Sequence, residues 1–143
     1  MKVQCSFNQV SNIPEIEVKN RLAESIHRNG PDDDLIEGRA YTVLALARWS
    51  DGGIRVYLHT IEESDHPYPY PLEMFEVIDP TIPANWRIGF EQRPGGIEIK
   101  LMSFPDWVED ARFYEKLVEG DERAIASYKL QRFSMSPTPT AGT

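Results

Sequence analysis

Residues 40–49 are apolar on both faces of an extended strand, and this run limits the possible architectures more than any other feature. Tyr41, Val43, Ala45 and Ala47 fall on one side and Leu44 and Leu46 on the other, so the strand needs cover above and below. It is expected at the centre of a sheet. Ser50, Asp51, Gly52 and Gly53 then supply the positive-φ positions of a tight turn, and Ile54, Val56 and Leu58 alternate with Arg55, Tyr57 and His59. The pattern predicts a hairpin over residues 40–60.

Around this hairpin the periodicity changes twice. Val3, Cys5 and Phe7 alternate with polar residues as in a half-buried strand, which makes Cys5 a core residue. Residues 12–28 carry Val18, Leu22 and Ile26 at four-residue spacing behind Asn12 and Pro14, the pattern of a helix that Asn29, Gly30 and Pro31 would end. In residues 67–71, Pro67, Pro69 and Pro71 alternate with Tyr68 and Tyr70, so every second residue lacks a backbone donor. That segment is confined to a connection or a sheet rim. A short strand over residues 74–78 and a second hairpin, residues 86–90 and 97–101 around Arg93, Pro94, Gly95 and Gly96, complete a mostly antiparallel meander.

Beyond Phe104 the apolar period approaches four. Pro105 opens a helix with Trp107, Ala111, Tyr114 and Val118 on one stripe, widened by Phe113 and Leu117; Gly120 stops it, and Asp121 caps a second helix bearing Ala124, Ile125, Tyr128 and Leu130. Trp86 and Trp107 are read as core. The expected class is α+β: a small, mostly antiparallel sheet with C-terminal helices packed on it. Residues 1–133 form the expected single domain, and the Ser, Thr and Pro content of residues 134–143 marks a disordered tail.

Charge and cysteine content narrow the function. A net charge of -8 opposes nucleic-acid and anionic-membrane binding and favours encounter with a basic partner. One cysteine permits no internal disulfide, and no stretch approaches the ~20 apolar residues of a membrane span. A cytoplasmic protein is expected.

No catalytic signature is present. There is no G-x-S-x-G nucleophile turn and neither glycine-rich phosphate loop. The histidines, His27, His59 and His66, read as solvated or structural. Glu62, Glu63, Asp65 and His66 are the most metal-like group but lack the spacing of a known metal site. Asp32, Asp33 and Asp34 likewise lack the alternating oxygens and closing glutamate of a calcium loop. No cofactor or metal is expected. Tyr68 and Tyr70, held on a proline-stiffened segment, would make rigid interface anchors, and Glu62, Glu63, Asp65 and His66 would give them an acidic rim. These are the candidate partner-binding residues.

Several features gather into a resemblance. They are Leu35, Gly38, Tyr41 and Val43 leading into the first hairpin, Pro71, Leu72, Phe75, Glu76, Val77 and Asp79 in the following strand, and Trp86 beyond it. Trp107, Phe113, Tyr114 and Leu117 follow in a helix ended by Gly120 and Asp121. Residues 35–120 in this respect resemble a loose group of small bacterial proteins, some of them similar to immunity proteins of polymorphic toxin systems. The resemblance implies an SH3-like barrel or strongly bent sheet with C-terminal helices, and brings no catalytic residues. The expected function is a non-enzymatic protein-binding module, in its narrower form an immunity-type inhibitor of a basic protein. The alternative is an enzyme or small-ligand binder with a pocket between sheet and helices, using His59, His66 or carboxylates.

Overall fold

In the computed structural model, which describes residues 1–25 and 34–135, the chain is an open antiparallel sheet with helices on both faces. In chain order the elements are β1 (Lys2–Cys5), α1 (Ile16–Ser25), β2 (Ala40–Arg48), β3 (Ile54–Leu58), β4 (Tyr68–Pro71), β5 (Phe75–Asp79), β6 (Arg87–Arg93), β7 (Gly96–Ser103), α2 (Pro105–Glu109), α3 (Phe113–Glu119) and α4 (Glu122–Met135). Short 3-10 turns, Val10–Asn12 and Leu72–Met74, precede α1 and β5. Of the two architectures expected, the open sheet is the one formed.

β2 organises everything else. One edge pairs with β3 through Val43↔Leu58 and Leu46↔Val56; the other pairs first with β1 (Thr42↔Lys2) and farther along with β7 (Leu46↔Met102). The sheet therefore forks along that second edge. β1 continues to β5, β7 continues to β6, and β4 lies outside β3, so among the described residues β4, β5 and β6 are edge strands. The first hairpin closes as expected, with Gly52 at φ 84° and Gly53 N–H donating to Asp51 Oδ1 at 2.8 Å.

Both faces of β2 are covered. Val43 packs with Val3, Cys5, Leu22, Val56, Leu58 and Tyr70 beneath α1; the register shifts between Val43 and Ala45, so Ala45 does not share the face of Val43 as expected but packs with Leu44, Phe104, Trp107, Phe113, Leu117 and Tyr128 beneath the C-terminal helices. Trp107 is buried; Trp86 is half-buried and touches both clusters.

The C-terminal helices depart from the expected stripe. Asp110 breaks the run, accepting from Arg112 N–H at 2.9 Å and pairing Lys116 at 2.7 Å, so α2 and α3 are separate and the phase shifts between them. Phe113 and Leu117 turn inward, and Val118 is left 53% exposed with Ala111 outside. Gly120 ends α3 at φ 88°, and Asp121 Oδ1 accepts from Ala124 N–H at 2.9 Å, both as expected. Leu130 lies outside on α4. α1 begins at Ile16 rather than beside Asn12, which belongs to the preceding 3-10 turn. Its expected stop, His27, Asp32 and Asp33 lie outside the described residues. α4 runs to Met135, so Ser134 and Met135 of the expected tail are helical; the remainder of that tail lies outside the described residues. No helix among the described residues is long and apolar enough to cross a membrane.

Candidate functional site

The proline-spaced segment forms β4, where missing donors cost least because no strand among the described residues lies beyond its outer edge. Its tyrosines do not project as a pair. Tyr70 is 4% exposed: its ring lies 6.3 Å from that of Phe75 in the core, and its hydroxyl is 2.6 Å from Thr60 Oγ1. Tyr68 is half-buried on the same cluster. The exposed aromatic rim expected from the sequence is thus corrected. Residues two apart on a strand share a face, and here that face is the core.

The acidic half of the expected rim stays in water. Glu62, Glu63 and Asp65 are exposed on the β3–β4 connection, with Asp65 3.6 Å from Lys129 of α4. His66 turns away from them. Its Nδ1 lies 3.0 Å from the Pro67 carbonyl, and its ring packs at 4.7 Å on Tyr68 and 5.9 Å on Tyr114. Tyr114 donates to the same carbonyl at 2.8 Å. No group of three or more His, Cys, Asp or Glu residues among the described residues is arranged to hold a metal ion.

His59 is joined to the far end of the chain. Nδ1 lies 2.7 Å from the Tyr128 hydroxyl and Nε2 lies 3.4 Å from the Glu62 carbonyl. Burial holds the Tyr128 hydroxyl protonated far above the usual tyrosine range, and burial, aided by Arg132, lowers the His59 pKa. With the Tyr128 hydroxyl donating, a neutral ring accepts at Nδ1 and carries its proton on Nε2. Beside it an open cleft of about 360 Å³ is lined by Tyr41, Thr42, His59, Glu62, Arg132 and Phe133. Between the sheet and α2–α3 the space is filled by rings, Tyr57 packing edge-on against Trp107 and Tyr114 at 5.0 and 5.1 Å.

Four of the exposed apolar side chains lie on the β6–β7 hairpin. The register Ile88↔Met102, Phe90↔Ile99 and Gln92↔Ile97 puts these side chains on one face, and the exposed members are Ile88 (45%), Phe90 (60%), Ile97 (70%) and Ile99 (47%). The opposite face carries Arg87, Glu91, Arg93 and Glu98, with Arg93 Nε 3.1 Å from Glu98 and Arg48 3.6 Å from it. α2 packs on that charged side because Gly89 makes room: a Cβ there would sit 3.2 Å from Val108 Cγ1. The helix thereby covers the more polar face and leaves the apolar one open.

The alternation of residues 87–93 and 97–99 was readable as two faces. Which one the helix would choose was not, because the deciding residue is a glycine. Compared with protein-family models, curated proteins and solved structures, the chain matches none.

Proposed function

We propose that this chain is a non-enzymatic protein-binding module that docks a basic partner through the apolar face of the β6–β7 hairpin. The observation that carries this reading is the exposure of Ile88, Phe90, Ile97 and Ile99 together on one sheet face. Contiguous apolar side chains held outward on a rigid hairpin are the usual mark of a protein contact site. The charge of -8 would steer a cationic partner toward it at low salt. An immunity-type inhibitor that presents carboxylates to a cationic protein is the narrower form of this reading.

The test is capture from the native lysate at low salt, with wild type beside a folded Phe90→Ser/Ile97→Ser double variant. A basic protein retained by wild type and lost by the variant supports the reading. Equal retention by both removes the hairpin from it.

A second reading, a small-ligand binder, is favoured by the cleft beside His59, where Arg132 and Thr42 could hold an anionic group. Titration with small carboxylates and phosphates should then move the His59 ring resonances. If none does so, this reading falls.

A further inference from the structure

Among the described residues β6 pairs with β7 alone, and its seven residues leave a hydrogen-bonding edge with no strand on it there. We propose that β6 pairs antiparallel with β6 of a second copy of this chain, about a two-fold axis at Gly89. The register follows from charge. With Gly89 opposite Gly89, Ile88 faces Phe90 of the second copy twice on the apolar side, and Arg87 faces Glu91 twice on the helix side. Residues directly opposite in such a pair have Cβ atoms about 5 Å apart, near enough for both contacts to form. Centring on Phe90 instead would set Arg87 against Arg93, like charges facing each other twice. Within one copy Arg93 is held by Glu98 at 3.1 Å and lies 3.5 Å from Glu91, so Glu98 can retain Arg93 while Glu91 turns to the second copy.

An edge strand bearing charge usually resists association. Here the charges are confined to one face and are complementary under two-fold symmetry, while the other face is apolar. Pairing would join two copies of Ile88, Phe90, Ile97 and Ile99 into one continuous surface. It uses the edge of β6, whereas the proposed docking uses its face, so either can fail without the other.

The test is sedimentation of the full chain over a concentration series. Wild type is expected to approach twice the 16.4 kDa chain mass. Arg87→Glu and Glu91→Arg should each weaken the dimer about tenfold or more, because each turns two attractive pairs repulsive. Mixing the two variants should restore dimerisation, since every pair then again joins an acid to a base. A chain that stays monomeric throughout, or a dimer that neither substitution weakens, overturns the proposal. If a variant fails to fold, amide exchange of wild-type Arg87–Arg93 decides: concentration-dependent protection supports pairing, and its absence refutes it.

Discussion

The Tyr128 hydroxyl, buried in α4, lies 2.7 Å from Nδ1 of His59 at the end of β3, and this contact ties the last helix to the centre of the sheet. Tyr128→Phe would leave Nδ1 without its donor while keeping the packing. The expected cost is about 1 to 2 kcal/mol, read by urea denaturation. Nitrogen chemical shifts should show the Nε2–H tautomer in wild type, and the variant should lose that preference.

The burial of His59 gives stability a pH dependence. Burial and Arg132 depress the His59 pKa in the folded state, so the unfolded chain binds the proton more readily. This contribution is intact above the unfolded value of about 6.5 and is lost as pH falls through it toward the lower folded value. Urea midpoints taken at pH 7.5 and pH 5.5 should fall more for wild type than for His59→Asn. An equal fall would mean that His59 is not protected from protonation.

Tyr70 should behave as a core residue. Tyr70→Ala is expected to destabilise by about 3 to 5 kcal/mol, as other buried aromatic truncations do, and Tyr70→Phe by about 1 kcal/mol through loss of the Thr60 contact. Glu62→Ala and Glu63→Ala, at exposed positions, should stay within about 0.5 kcal/mol. Thermal midpoints of the four variants separate a packed ring from an exposed one.

Arg55 is 1% exposed, pairs with Asp51 at 2.9 Å and lies 4.6 Å over the Trp49 ring. Asp51→Ala removes the carboxylate from a buried cation and a bond from Gly53 N–H in the turn. A loss of about 3 kcal/mol or more is expected by chemical denaturation. A much smaller loss would show that the remaining surroundings of Arg55 hold its charge equally well.

Much of the fold was readable from residue order because local and long-range preferences agree. Residues 40–60 combine a doubly apolar strand with a glycine turn, and Gly120 and Asp121 form a stop and cap whose chemistry is local. Where the determinant was tertiary, the reading stopped short. Three prolines confined residues 67–71 to an edge, but only the position of the core decides which way Tyr68 and Tyr70 point. The helix expected from Pro105 breaks because Asp110 satisfies Arg112 N–H and Lys116, contacts that periodicity does not weigh. The open face of β6–β7 depends on Gly89 admitting α2 from the charged side.

A partner that docks on the hairpin face must touch Phe90 and leave Tyr68 untouched. Placing a photo-crosslinking phenylalanine analogue at position 90 and, separately, at position 68, then irradiating in the native lysate, tests that most directly. Covalent adducts with a basic protein from position 90 and none from position 68 are the expected result. Adducts from position 68 alone, or none from position 90, would contradict the assignment of the hairpin face as the docking surface.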